Sequence, residues 1–474
     1  MMRTMVLSIV VTALAGCMMG PNYKRPAIDT PQSFHYEVAD AQDTVNTEWW
    51  KQFGDPVLNR IIAEALSNNR NVKVAAANVE QAAAVLMVTR SAFFPQITYS
   101  GSALRQRLSH NNPITPPTPN PFDNFQVFAG VNWEIDLWGR IRRLTEAGRA
   151  NLLATEEARR GVILSLVAEV AATYIQLRGL DEQLAIARRS IKVYSQSVGL
   201  FELQHSYGQV NQMTVEQARS QYENAAVTIP QIENQIAQTE NGLSVLLGRN
   251  PGPIMRGKTV FELAMPPIPA GLPSQLLERR PDVRQAEQSL IAANAQIGAA
   301  NALYYPAISL TGLFGQSSTQ LSSLFAGPSR TWSYSGSFTG PIFTGGAIRG
   351  QVKQAEAAQN AALWNYIQTI QSAFADVENT LVARQKLEEQ LGAEKRRVTA
   401  YSEYDRLAWL QYNGGYVPYL TVLYAEAQLF PAELSAIQTR AATFISLINI
   451  YRAMGGGWVV EAERATASAS QWNP

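Results

Sequence analysis

The chain is poor in the residue types that most chemistry needs. Its 474 residues include one cysteine, Cys17, and three histidines, His35, His110 and His205. A lone cysteine forms no internal disulfide. The histidines stand apart, with no Cys or acid pair at ligand spacing, so no metal site is expected. No P-loop, G-x-S-x-G, H-E-x-x-H or dinucleotide fingerprint occurs. No catalytic residue and no diffusible cofactor is therefore expected, and the chain does not read as an enzyme. An excess of one charge is also missing: 39 basic residues meet 38 acidic ones, for a net charge of +1. That leaves no electrostatic footprint for nucleic acid. Past the first 16 residues no run of about 18 or more apolar residues occurs, so no transmembrane helix is expected. If the chain spans a membrane, strands must do it.

What is present begins at the first residue. Met1-Met2-Arg3 is a short positive start, Met5 to Ala15 is an apolar run, and Leu14-Ala15-Gly16-Cys17 closes it with small residues. This reads as a secretory signal peptide over 1–16, too short to cross a bilayer. The single cysteine stands at the processing point. It is expected to become the acylated first residue of a lipoprotein, a covalent lipid on Cys17 that anchors the chain to the membrane. Met18 follows, with no Asp there to suggest retention at an inner membrane.

The chain also repeats itself. Gly139, Ile141, Thr173 and Gly208 meet Gly346, Ile348, Thr380 and Gly415 at one constant spacing, and Val210, Thr214, Val215 and Ala218 meet Val417, Thr421, Val422 and Ala425 at the same spacing. Phe93-Phe94-Pro95-Gln96-Ile97 returns as Tyr304-Tyr305-Pro306-Ala307-Ile308 at a slightly longer one, because the first copy carries the longer loop, Asn111 to Asn120. The organisation read from this is a signal peptide over 1–16 and an extended N-terminal arm over 17–55. A first repeat follows over 56–247 with strands near 96–107 and 124–137. After a Pro/Gly-rich linker, 248–273, comes a second repeat over 274–457 with strands near 307–316 and 331–342. A flexible tail is expected over 458–474.

Each repeat holds a long helix without proline. In the first, Ile163, Leu166, Val170, Thr173, Leu177, Leu180, Leu184, Ala187, Ile191, Tyr194, Val198 and Phe201 alternate steps of three and four. That period of about 3.5 demands a coiled-coil partner. A helix of about 65 residues would be roughly 100 Å long. The second copy has a patchier seam, interrupted by Arg384 and Asp405. Helix pattern alone would equally suit a coiled-coil rod.

The segments between the helices alternate with period two. Phe125, Val127, Ala129, Val131, Trp133, Ile135 and Leu137 face one way; Gln126, Gly130, Asn132, Glu134 and Asp136 face the other, with Phe128 an exception. Trp332, Tyr334, Gly336, Phe338 and Ile342 oppose Ser333, Ser335, Ser337 and Thr339. Runs of about ten residues with aromatics near their ends suit lipid-facing barrel strands. A soluble half-buried sheet would alternate in the same way. Small Ser and Gly residues on the second face make a poor packed core and a good wet lumen, which Asn132, Glu134 and Asp136 would line. Four strands cannot close a barrel, and open edges do not exist in lipid. Several copies must therefore share one: two would give eight strands and a filled interior, three would give twelve and room for passage.

The duplicated helix–hairpin–helix layout resembles the TolC family of outer-membrane channels over nearly the whole chain after Cys17. Gly20-Pro21-Asn22-Tyr23-Lys24-Arg25-Pro26, Trp49-Trp50-Lys51-Gln52-Phe53-Gly54-Asp55-Pro56, Glu278-Arg279-Arg280-Pro281-Asp282-Val283 and Gly455-Gly456-Gly457-Trp458 are similar to its lipidated, OprM-like branch. The resemblance implies a mixed α and β fold. A transmembrane β-barrel shared by a homotrimer, four strands from each chain, would continue as a long α-helical coiled-coil barrel through the periplasm. It implies a periplasmic adaptor protein and an inner-membrane pump as partners, outer-membrane lipid around the barrel, and a passive exit duct for drugs or other small solutes. It also implies closure at the helix turns near Tyr207–Ala218 and Tyr412–Ala425. There the family's type member uses aspartates and a tyrosine–arginine pair. Tyr412 matches the tyrosine, but Val417 stands at the arginine position and Thr214, Thr421 and Tyr424 at the acidic ones. An aromatic constriction from Tyr416, Tyr419, Leu420 and Tyr424 is the expectation instead, although these tyrosines could equally pack between helices. A protein-secretion duct, or a structural coiled-coil lipoprotein without a pore, remains an alternative at this stage.

Overall fold

A computed structural model describes residues 18–36, 48–109, 111, 119–269 and 273–456. The signal peptide, Cys17, His110, part of the arm and the tail lie outside the described residues. Eight helices and four strands are described: α1 (Pro56–Asn68), α2 (Arg70–Ser91), β1 (Gln96–Gln106), β2 (Phe122–Ile135), α3 (Arg140–Ser206), α4 (Gln212–Leu246), α5 (Pro273–Arg279), α6 (Pro281–Ala302), β3 (Ala307–Ser318), β4 (Arg330–Thr339), α7 (Ala347–Asn413) and α8 (Tyr419–Ala453). The two long helices, α3 and α7, have 67 residues each. Each starts just after a glycine in the left-handed region, Gly139 at φ +77° and Gly346 at φ +90°.

The leading helix of each repeat is divided in two. Asn69 turns extended and interrupts the first. Its Oδ1 accepts the Val72 N–H and its Nδ2 donates to the Leu246 carbonyl. In the second, Arg280 precedes Pro281, and the proline ring pushes the residue before it out of the helical region.

The chain forms two compact units, and each draws on both repeats. One comprises Met1–Ala27, Asn78–Glu156 and Gln285–Ile367; the other comprises Ile28–Ala77, Glu157–Arg284 and Gln368–Pro474. In the first unit the strands form one antiparallel sheet in the order β1-β2-β3-β4. Next to it Ala147 and Ala150 of α3 pack on Ala292 and Ala295 of α6. Side chains this small let the helix axes approach closely, and the arm uses the same closeness. Gly20 runs against Gly298 of α6, where a Cβ on Gly20 would fall 2.4 Å from the Gly298 Cα. The fully buried Arg143 holds the arm there, donating to the Met19 and Gly20 carbonyls at 3.0 and 3.1 Å and to Asn22 Oδ1 at 2.9 Å.

The second unit carries the main core. Ile163, Leu166, Val170 and Leu177 of the α3 seam pack with Phe444, Leu447, Ile448 and Tyr451 of α8 and with Trp49, Trp50 and Phe53. Asp55 is fully buried beneath them. It caps α1 at the Val57 N–H (2.8 Å), accepts the Tyr174 hydroxyl (2.9 Å) and accepts the Lys258 N–H of the linker (3.1 Å). Further along, Leu180, Ala187 and Tyr194 pack against α4 and α8. Two helical stretches, Pro56–Ser91 and Arg140–Ser206, are long and apolar enough by composition alone to cross a membrane. The apolar window of the second is 56% buried inside the protein, so its hydropathy serves this core.

Candidate channel wall and tip

Register decides which side chains share a face of the sheet, because residues directly opposite in an antiparallel pair point the same way. Ile97 pairs with Val131, Val131 with Gly312 and Gly312 with Tyr334. One step along, Tyr99, Ala129, Phe314 and Trp332 form a second row, and Ile135, Ile308 and Phe338 a third. One face is therefore apolar across all four strands. Its large side chains stand open: Tyr99 is 92% exposed, Tyr334 81% and Ile97 76%. The opposite face carries the row Gln96, Asn132, Thr311 and Ser335, with Thr311 and Ser335 hydroxyls 2.7 Å apart. Phe128 falls on this polar face, as its place in the alternation requires. Among the described residues, strands β1 and β4 each pair on one side only.

The three polar residues expected in the lumen have different surroundings. Asn132 is exposed on the polar face. Glu134 shares that face, and its carboxylate accepts a two-bond clasp from Arg140 at 3.1 and 2.7 Å. Asp136 lies beyond the end of β2 and caps α3. It accepts the Ile141 and Arg142 N–H groups at 3.0 and 2.9 Å and the Arg142 side chain at 3.2 Å. A carboxylate at a helix N-terminus satisfies orphan donors and complements the dipole.

At the far ends of α3 and α7 the two repeats make matching turns. Gly208 and Gly415 adopt φ +72° and +76°. The Gln209 N–H reaches back to the Gln204 carbonyl and the Tyr416 N–H to the Gln411 carbonyl, both at 2.9 Å. These are the bonds that close a helix through a left-handed residue, which glycine adopts without steric cost. The first turn then opens α4 with Asn211, whose Oδ1 accepts the Thr214 N–H and hydroxyl at 3.0 and 3.2 Å. The second opens α8 with Pro418, which has no side-chain cap.

The seven residues expected near the constriction divide by burial. Tyr419 is 5% exposed and packs on the fully buried Phe201, with ring centroids 4.1 Å apart. Tyr412 joins the same cluster, 6.1 Å from Phe201 and 5.8 Å from Tyr419. Burial pushes both hydroxyls above the usual tyrosine range. Thr421 and Thr214 are half-buried. Tyr416, Leu420 and Tyr424 are exposed, at 86%, 57% and 59%. Tyr412 and Tyr419 thus hold the helices together, and Tyr416, Leu420 and Tyr424 form the open apolar surface of the second turn. The facing of an aromatic at such a turn depends on a four-helix arrangement that one helix's pattern does not contain.

An amphipathic sheet with outer edges unpaired among the described residues is what a barrel shared between copies would need. The family model described as outer membrane efflux protein matches residues 61–249 and 272–456, one stretch in each repeat. The chain belongs to this family. It is 35% identical over 483 residues to the toluene efflux pump outer membrane protein TtgC of Pseudomonas putida, with 100% of both chains covered. It is 36% identical over 466 residues to the probable outer membrane lipoprotein SilC of Salmonella typhimurium, covering 97% of this chain and 100% of SilC. Among solved structures, the open state of the Neisseria gonorrhoeae MtrE outer membrane channel superposes with a TM-score of 0.85 at 30% identity, covering 93% of this chain and 99% of MtrE. This outer membrane efflux protein is a channel component with the mixed α and β fold of the TolC type. The family model covers each sequence repeat once, as an internal duplication requires.

Proposed function

We propose that this outer membrane efflux protein works as a homotrimer, anchored by a lipid on Cys17, and serves as the passive exit duct of a tripartite system. The observation that carries the trimer is the four-stranded sheet with one apolar face and two free edges. Unpaired edges are untenable in hydrocarbon. Three copies supply twelve strands, enough to leave a polar lumen lined by the Asn132 row, whereas eight strands fill their own interior. Val85, Met87 and Val88 of α2 are 56–73% exposed and offer an apolar helical face for a neighbouring copy.

A duct of this kind performs no catalysis and needs no cofactor beyond its lipid. Energy comes from an inner-membrane pump reached through a periplasmic adaptor, and those partners choose the cargo, small solutes such as drugs. The narrowest point is the second turn, where Tyr416, Leu420 and Tyr424 are exposed, with Tyr412, Tyr419, Thr421 and Thr214 supporting them from behind.

One preparation tests both the anchor and the assembly. Cells fed labelled palmitate are extracted in detergent and crosslinked. The expected result is a labelled trimer, and a Cys17→Ser variant that loses the label while still crosslinking as a trimer, because the barrel holds lipid independently. A stable monomer that conducts ions in bilayers would refute the shared barrel, and undiminished labelling of the variant would refute the anchor.

A further inference from the structure

Glu426, on α8 two turns beyond the second helix turn, is 4% exposed. Its Oε1 accepts the Trp409 indole N–H at 3.3 Å, and its Oε2 has no partner among the described residues. A buried carboxylate normally finds a cation or a set of N–H donors, because burial disfavours the charged form. Here, Trp409 apart, the packed elements supply the wrong kind of group. From α7 comes Asp405, half-buried, whose Oδ1 is also without a partner among the described residues. From α3 comes Tyr194, whose hydroxyl donates to the Glu426 main-chain carbonyl at 3.4 Å rather than to its side chain. On α4 Gln221 bonds Tyr194. On α8 itself stand Tyr419 and Glu433, and Glu433 takes the nearby cation, Arg189, at 3.0 Å. Two carboxyls on facing helices therefore lack a positive charge, and one oxygen of each, Glu426 Oε2 and Asp405 Oδ1, meets no donor among the described residues.

We propose that Glu426, with Asp405, is a proton-operated latch that locks α7 to α8 beside the second helix turn when protonated and loosens it when ionised. A proton on Oε2 removes the buried charge and supplies a donor at the place where two oxygens have none. Its loss leaves two anions facing each other across a helix pair. Burial, and then the Asp405 charge, push the Glu426 carboxyl up to about 7, while burial, and then the Glu433 charge, raise Asp405. The folded helix pair thus binds more protons than an opened one between about pH 4.5 and 7. Packing is tightest at the acid end of that window and weakens as pH rises through it.

Hydrogen exchange on the full chain in detergent reads the latch directly. After correction for intrinsic exchange, local opening over residues 401–430 should become about tenfold more frequent between pH 6 and 8, the change expected for a carboxyl held near 7 when packed and near 4.5 when open. Glu426→Gln should abolish that slope. Asp405→Asn should keep it but move its midpoint to lower pH. A flat profile in the parent, an unchanged slope in Glu426→Gln, or an unmoved midpoint in Asp405→Asn would overturn the latch. The effect on conduction rests on the constriction proposed above. Single-channel conductance that rises with pH alongside exchange supports both; flat conductance with sloping exchange overturns that constriction and leaves the latch standing.

Discussion

The sheet and the helical tip spend similar side chains in opposite ways. Tyr99, Ile97, Tyr334 and Phe338 project from the sheet 71–92% exposed, while Phe201, Tyr419 and Tyr194 at the tip are 0–5% exposed. The tip buries these three aromatics and, with them, a carboxyl, and leaves only Tyr207, Tyr416 and Tyr424 open at its turns; the sheet exposes its aromatics and keeps its small hydroxyls on the other face. An exposed apolar surface of that extent is tolerable only where the surroundings are apolar too. The contrast teaches that the solvent differs between the two regions, and three pairs of substitutions can break or sharpen it.

The largest expected effect is in the tip. Phe201 touches Tyr412 and Tyr419 and is itself fully buried. Phe201→Ala should destabilise it by about 3–5 kcal/mol, the range for truncating a fully buried aromatic. Tyr99→Ala should cost far less, since Tyr99 packs on little within the chain. Denaturant unfolding in detergent compares the two. Similar losses would mean that the exposed face of the sheet is covered by protein rather than by lipid or detergent.

Next comes a substitution that reads the solvent itself. Val131 and Asn132 are neighbours in β2 on opposite faces. Val131→Arg should cost about 2–4 kcal/mol if it lies near the bilayer midplane, and Asn132→Arg much less on the lumen side. Membrane assembly of the two variants, followed by resistance to extraction, checks this. Equal tolerance would make the sheet a soluble one.

The legible parts of the molecule are those in which the residue pattern alone dictates the environment. Steps of three and four from Ile163 to Phe201 named the α3 seam, and eight of those twelve positions are buried, with Leu184, Ile191 and Val198 partly so. Alternation through Phe125–Ile135 and Trp332–Phe338 named the apolar face that register bears out, and the recurrence of Gly208 as Gly415 placed both turns. What escaped depends on contacts between distant segments. Arg143 sits among Arg140 and Arg142 at a helix start and reads as a solvated charge, yet the arm's carbonyls bury it completely. Asp136 reads as a strand residue until α3 is seen to begin beside it, although an acid just before a helix is a capping signal. Glu426 and Asp405 are far apart in sequence, and each alone reads as an ordinary polar interruption of a seam.

The smallest expected effect on stability falls on Leu420 and Tyr424. Leu420 is 57% exposed, and Tyr424 makes one edge-on ring contact, with Tyr404 at 6.4 Å. Truncating either to alanine removes little packing, so unfolding should shift far less than for Phe201→Ala. Conduction is where they should matter. The positions where a charged lock would carry acids and an arginine hold Thr214, Thr421, Tyr424 and Val417: Thr214 gives its hydroxyl to Asn211, and Tyr412 packs among aromatic rings. Closure by apolar side chains and neutral hydrogen bonds, each worth about 0.5–1.5 kcal/mol, is screened little by salt. Single-channel conductance of Tyr424→Ala and Leu420→Ala should therefore rise above the parent, while divalent cations barely affect any of the three. Unchanged conductance in both variants would move the constriction away from the second turn. Strong block of the parent by divalent cations would show that carboxylates, and not these side chains, surround the narrowest point.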